Sequence, residues 1–503
     1  MGRLKALAAA VICGLIAASP ASTTDKTAAQ PFWVEEIVSG LNVPWSMVWT
    51  PDGELLILEK FGGLRVVRSG HLSPVVIPGT PKAYKVGPNG LLDIALDPDF
   101  KKTRRVFITF DDGDAVTSQP SLFRARYDGK ALVDGEVIFR TDLPATVAPY
   151  SSLTRIVFLP DKTMLVSSAV GDPRRLMAQR LDNHLGKILR LDRDGHAPPD
   201  NPFVGRPGAK PEIFAYGVRN AIGLYRDPRT GVIWEAENAM RGGDELNILK
   251  AGANYGWPIA THGLQYSGEK VSDATDLPGV EPPITYWVPS IAPSGLTVAQ
   301  GRRYPGWNGD VFAGALSGQH LRHVTIRDGK AVAEEKLLTD LGERIRDVRT
   351  GPDGFLYVLT DNVNGRLLRL RPGKPGDRQM MLVAHKLTVR SNPTVDTLDM
   401  RPKPSDPARG GRLFAQVCSG CHSVRPNDPP GPGPNLAGVV GRKAGSGGFA
   451  YSDALKGLGV TWNPEAIENL LAGPQAFAPG TLMASPPIAD PQDRRDIVAF
   501  LKG

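Results

Sequence analysis

Three cysteines in 503 residues leave no material for a disulfide framework. Cys13 lies inside an apolar run, so only Cys418 and Cys421 remain, both in one short motif. With no second cysteine pair, a four-thiolate zinc site is excluded. Long apolar runs are just as scarce. Residues 6–18 form the one such stretch, and it is too short to span a bilayer comfortably. There is no basic block with interleaved aromatics, and a net charge of +7 is small for this length, so nothing points to nucleic acid. No histidine occurs between His71 and His184.

Arg3 and Lys5 precede the apolar run, and Ser19-Pro20-Ala21 follows it. That is the layout of a cleaved secretory signal over residues 1–21. A periplasmic or secreted protein is expected, with no membrane span once the signal is removed. Glycine (56) and proline (45) are plentiful, which favours turns and a largely β architecture. The length requires more than one domain.

Cys418-Ser419-Gly420-Cys421-His422 carries the sharpest chemistry. Two thiols three positions apart reach the two vinyl groups of one haem, and the adjacent histidine is placed under the iron. A redox dithiol or half a zinc site would not need the features that follow. Residues 408–503 resemble class I cytochrome c. The matching stretches are Gly410 with Phe414, Gly433-Pro434-Asn435-Leu436, Gly441-Arg442-Lys443, Tyr451-Ser452-Asp453, Thr461-Trp462 and Pro479-Gly480-Thr481-Leu482-Met483. The resemblance implies covalent haem c, with His422 and Met483 as iron ligands and the Pro434 carbonyl orienting the histidine. It also implies groups near the haem propionates at the middle three stretches. Ile497, Val498, Phe500 and Leu501 are at helical spacing and should pack a terminal helix on the first one.

From Phe32 to Pro372 one phrase recurs: a Pro/Asp/Gly turn, a short apolar strand, another turn and another strand. It appears at Pro51-Asp52-Gly53, Asp97-Pro98, Pro160-Asp161, Asp227-Pro228, Pro305 and Pro352-Asp353-Gly354. Six such units predict an all-β six-bladed β-propeller, followed by a small all-α domain. A tandem of β-sandwiches is the alternative. Propellers bind ligands with loops at the channel mouth, so polar loop clusters are the candidate sites. Arg344 and Arg346 lie on one side of an extended segment and suit a ligand with several carboxylates, or else ordinary ion pairs at blade corners. Residues 373–407 are Gly/Pro-punctuated and read as a linker. MMLVAHKLTV within it reads as an edge strand, with His385 at the surface.

The stretches NGLLDIALDPDF (89–100), LDNHLGKILRLDRDG (181–195), PEIFAYGVRNAIGL (211–224), GGDELNILKAGANYGWP (242–258), APSGLTV (292–298) and the run 344–370 resemble the soluble PQQ-dependent glucose, aldose and sorbosone dehydrogenases. The resemblance implies pyrroloquinoline quinone over the channel on a calcium ion, and a sugar or related hydroxy-aldehyde as substrate. Arg219 and Asn220 match residues beside the quinone oxygens, and Arg344 and Arg346 match the clamp on its carboxylates. The backbone carbonyls of Ala239 and Met240 match the calcium ligands. Asp172 matches the acid that orients the catalytic histidine. Three positions depart from the pattern. Ser151 stands at the catalytic histidine's place, Pro88 replaces a glutamine and Ser317 a lysine. A serine needs help to act as a base at neutral pH. Two readings follow. One is a sugar dehydrogenase that passes electrons from reduced quinone to its own haem and on to a downstream redox protein or respiratory acceptor, with Asp172 and Ser151 as catalytic candidates. The other is a propeller that only docks a ligand or partner for the cytochrome.

Overall fold

The computed structural model describes residues 30–373 and 405–503, apart from 85–88, 114–117, 143–150, 266–268, 484, 486–487 and 489–490. The secretory signal and most of the linker, with its edge strand and His385, lie outside the described residues, as do Pro88 and Tyr150. Among the described residues, no helix is long and apolar enough to cross a membrane.

Six four-stranded antiparallel sheets form a β-propeller. Blade 1 runs over residues 44–72, blade 2 over 91–140, blade 3 over 153–216, blade 4 over 221–287 and blade 5 over 293–337. Blade 6 takes residues 345–372 and adds the first strand of the chain, Phe32–Leu41. That strand pairs antiparallel with Gly365–Pro372, from Phe32 opposite Pro372 to Leu41 opposite Gly365, so the two ends of the propeller close the ring. Middle strands such as Leu55–Glu59, Lys187–Leu191 and Leu356–Thr360 are buried along their whole length. Both faces of each blade meet a neighbouring blade, which explains continuous apolar runs in place of strict alternation. Gly53 and Gly354 close Pro-Asp-Gly turns with φ of +88° and +78°, a conformation that side chains with a Cβ resist.

The first strand of each blade lines the central channel, where a buried ionic hub ties the blades together. Arg155, from blade 3, pairs with Asp93 of blade 2 at 3.2 Å and Asp347 of blade 6 at 3.1 Å, and donates to the Ile222 carbonyl of blade 4 at 2.6 Å. Arg349 completes the square, 3.0 Å from Asp347 and 3.4 Å from Asp93. Asp347 also accepts the Met47 N–H of blade 1. Blade 5 passes so close that a Cβ on Gly295 would lie 2.0 Å from the Asp347 carboxylate, which is why that position is glycine.

The C-terminal unit is helical. Helix α1 (Pro407–Val417) is capped by Asp406, whose side chain accepts the Ala408 and Arg409 N–H groups. Two further helices are α2 (Pro464–Ala472) and α3 (Pro491–Leu501). Helix α3 crosses α1 backbone against backbone. A Cβ on Gly410 would meet the Asp496 carbonyl at 1.8 Å, and Phe414 packs on Phe500 at 5.3 Å.

Removing one partner of a buried ion network costs about 3–5 kcal/mol. Asp347→Ala should therefore lower propeller stability by about that much in urea unfolding followed by tryptophan fluorescence. Val75→Thr, at an exposed position, should stay within about 0.5 kcal/mol. Equal stability of the two variants would contradict the role of the hub.

Candidate functional site

The haem crevice is built by a helix end and three loops. Helix α1 ends at Cys418, and His422 N–H bonds the Cys418 carbonyl at 3.0 Å, so the motif turns back on itself. Cys418, Cys421 and His422 all border one cavity. His422 Nδ1 lies 2.8 Å from the Pro434 carbonyl, which can only accept, so Nδ1 carries the proton and Nε2 offers its lone pair. Burial lowers the His422 pKa and the Pro434 bond opposes it, which keeps a neutral, ligating imidazole. A Cβ on Gly433 would lie 2.4 Å from that ring. Met483 borders the same cavity on the loop after Gly480, as do Arg442, Tyr451, Ser452 and Trp462. Two free thiols, an oriented imidazole and a thioether around one pocket fit a covalently bound haem.

The propeller mouth faces this crevice. The cavity, about 900 Å³, is bounded on the propeller side by Trp45, Lys60, Ser152, Arg219, Asn220, Arg344, Arg346 and Asp361. Arg344 and Arg346 converge on Asp361, Arg344 Nε at 2.8 Å and Arg346 Nη2 at 3.0 Å. Burial pushes the Asp361 carboxyl up, but the two guanidiniums hold it well below the usual carboxylate range. Arg346 also lies over the Trp45 ring at 5.5 Å, and Arg155 of the hub over the same ring at 4.2 Å. Burial, then the Arg346 charge, lowers the Lys60 ammonium to about 7. Burial pushes the Cys421 thiol up, and Arg344, Asp361 and Lys60 are its charged neighbours.

Lys60, Arg344 and Arg346 outweigh Asp361, so this wall carries an excess of positive charge. Asn238 Oδ1 and His320 Nε2 are buried on residues that border the cavity and have no hydrogen-bond partner among the described residues. A planar ligand with several carboxylates fits such a wall.

The Ala239 carbonyl, expected to hold calcium, accepts a hydrogen bond from the Arg219 guanidinium with one of its two lone pairs. Met240 borders the cavity. Among the described residues, no three His, Cys, Asp or Glu side chains are placed to hold a metal.

Ser151 and its neighbour part company. Ser151 is fully buried, its Oγ has no partner among the described residues, and it does not border the cavity. Ser152 does border it, and its Oγ donates to the Asp111 carboxylate, 3.1 Å from one oxygen and 3.2 Å from the other. Burial raises Asp111 to about 7, against the bonds from the Gly90 amide and Ser152. Asp172 starts a short 3-10 helix, Asp172–Gln179, and its side chain lies outside the described residues. Ser317 borders the cavity and donates to the Ser290 carbonyl. Lys60, Asp111 and Asp361, which sequence reasoning passed over, share one signal. Each follows an apolar run of a strand within a residue or two: LLILEK, RVFITFD and LYVLTD.

The glucose/sorbosone dehydrogenase family model matches residues 41–369, and the cytochrome c model matches residues 407–503. This chain belongs to the glucose/sorbosone dehydrogenase family. Its dehydrogenase propeller is 38% identical over 346 residues to an aldose sugar dehydrogenase of Escherichia coli, covering 67% of this chain and 92% of that protein. The solved apo-form of an E. coli aldose sugar dehydrogenase superposes with a TM-score of 0.65 at 36% identity, over 68% of this chain and all of that one. A PQQ-bound aldose sugar dehydrogenase of Streptomyces coelicolor superposes with a TM-score of 0.56 at 27% identity, again over 68% of this chain and all of that one. The cytochrome unit is 47% identical over 97 residues to cytochrome c2 of Rhodomicrobium vannielii, covering 19% of this chain and 77% of that protein.

Asp111 binds its proton more tightly folded than unfolded. Its stabilising contribution is therefore present below the ordinary carboxylate pKa and is lost as pH rises through about 7. Asp111→Asn should raise the thermal midpoint more at about pH 8 than at about pH 5. A gain that does not change with pH would contradict the buried, proton-holding carboxyl.

Proposed function

We propose that this protein oxidises an aldose or related hydroxy-aldehyde using pyrroloquinoline quinone held at the propeller mouth, and passes the electrons singly to its own haem. One observation carries the proposal: the arginine clamp and the Cys-Ser-Gly-Cys-His motif border the same cavity. When bound, the quinone supplies a two-electron acceptor. Arg344 and Arg346 hold its carboxylates, and Lys60 adds a third positive charge. A bound polyanion stabilises the charged ammonium, so it would raise the Lys60 pKa above its value in the free protein. Trp45, stacked under Arg346, keeps that guanidinium in place.

On the other side of the cavity, Pro434 fixes the His422 ring, and His422 with Met483 would hold the haem iron, a ligand set suited to moving electrons rather than binding oxygen. A shared chain raises the effective concentration of haem at the quinone to about the millimolar range. The reduced haem then serves a downstream redox protein or respiratory acceptor. The N-terminal charged and apolar segment supports a location in the periplasm or outside the cell. The relatives' names support the sugar class, and the PQQ-bound relative supports the cofactor.

The test uses the full-length holo-cytochrome, with and without calcium. PQQ is titrated by tryptophan fluorescence, a panel of aldoses is added, and the reduced haem band is followed. Reduction should need both PQQ and sugar. Arg346→Gln should weaken PQQ binding about tenfold to a hundredfold, the worth of one or two charge-assisted hydrogen bonds, with the oxidised haem spectrum unchanged. Absence of PQQ binding in the unaltered protein would leave the propeller as a docking module.

A further inference from the structure

We infer that Ser152, backed by Asp111, receives the proton of the substrate hydroxyl in place of the histidine that this stretch lacks. The inference rests on the proposed quinone chemistry and names the group that chemistry still needs.

Three geometric facts support it. Ser152 borders the cavity, immediately before the first strand of blade 3. Its Oγ hydrogen points at Asp111, which leaves the oxygen lone pairs for a substrate hydroxyl. Asp111 itself is fully buried and does not border the cavity, so it can be reached only through a neighbour. The pair therefore forms a two-member relay: a hydroxyl in contact with substrate and a carboxylate behind it. Lys60, the Gly90 N–H and Asn89 are the other groups facing Asp111.

Other candidates are weaker. His320 borders the cavity, but burial lowers it to about 4, too weak a base for neutral pH. Lys60 stands with the clamp, where Arg346, Asp361 and Arg344 dominate its surroundings after burial itself. Asp111, held near 7, matches the operating pH of a general base.

The step balances as follows. The substrate O–H bond breaks and its proton goes to Ser152 Oγ, while the Ser152 proton passes to the Asp111 carboxylate. The C1–H bond breaks with its electron pair, which leaves as hydride to an ortho-quinone oxidant, and the C1–O bond becomes a carbonyl. The sugar loses two electrons and the quinone gains them. Ser152 is the catalytic residue. Asp111 is a positioning residue that stores the proton.

The experiment uses the full-length holo-cytochrome loaded with PQQ. Ser152→Ala and Asp111→Asn should each cut sugar-dependent haem reduction about a hundredfold to ten-thousandfold, with PQQ affinity and the haem spectrum unchanged. Ser152→Thr, which keeps the hydroxyl, should recover most of the rate. The unaltered protein's rate should rise with pH through about 7, and Asp111→Asn should lose that dependence. Without PQQ or sugar, infrared difference spectra should show a buried carboxylic C=O band that fades over the same pH range and is absent in Asp111→Asn. Variants that keep the full rate and pH profile while the unaltered protein is active would overturn the relay and leave the proposed function standing. A pH dependence that survives Asp111→Asn but moves in Lys60→Gln would overturn it in favour of the lysine. An infrared band insensitive to Asp111→Asn would overturn the storage site. An unaltered protein that binds PQQ but never reduces its haem would overturn both.

Discussion

Two arginines and two aspartates in the central channel set the geometry on which the mouth depends. Arg155, Arg349, Asp93 and Asp347 are almost wholly removed from water or screened by one another, so their charges must be matched inside the protein. An isolated buried charge costs several kcal/mol, whereas a closed square of alternating charges offsets much of that. The square reaches blades 1, 2, 3, 4 and 6 through hydrogen bonds and ion pairs, and blade 5 touches it through the missing side chain of Gly295. A mismatch among blades 2, 3 and 6 would leave a charge unpaired, and one in blade 1, 4 or 5 would lose a hydrogen bond or a close backbone approach.

Trp45 links the hub to the functional cavity. Its ring lies 4.2 Å from the Arg155 guanidinium and 5.5 Å from that of Arg346, and it borders the cavity. At the mouth the charge balance changes. The hub is neutral, but the mouth carries Lys60, Arg344 and Arg346 against Asp361. That local excess of positive charge suits an anionic ligand. On the opposite side of the cavity, His422 is oriented by the Pro434 carbonyl, and Met483 and Arg442 border the pocket.

Where chemistry fixes spacing, the sequence was readable. Two thioether bonds and an axial histidine require Cys418, Cys421 and His422 in that order, and the Gly433-Pro434 pair must lie flat beneath the imidazole. Six recurrences of a turn-strand phrase gave the blade count because each blade solves the same burial problem. Arg344 and Arg346 were legible since residues two apart on a strand face the same way, and both reach Asp361. The proton-handling groups were not. Asp111 and Ser152 are 41 positions apart, on different blades, and nothing local marks a charge at a strand end as buried. The choice between Ser151 and Ser152 shows the limit sharply. Both precede the strand Leu153–Phe158, and a one-residue difference separates a sealed hydroxyl from one at the cavity. The calcium expectation rested on backbone carbonyls, and no sequence pattern reveals that the Arg219 guanidinium donates to one of them.

Whether quinone and haem share one cavity in the working protein is tested most directly by the concentration dependence of electron transfer. The PQQ-loaded protein is mixed with sugar in a stopped-flow instrument, and haem reduction is followed over a wide range of protein concentration. Transfer within one chain predicts a first-order rate constant that does not change with concentration. A rate constant that rises in proportion to protein concentration would mean that electrons pass between molecules, and would contradict it.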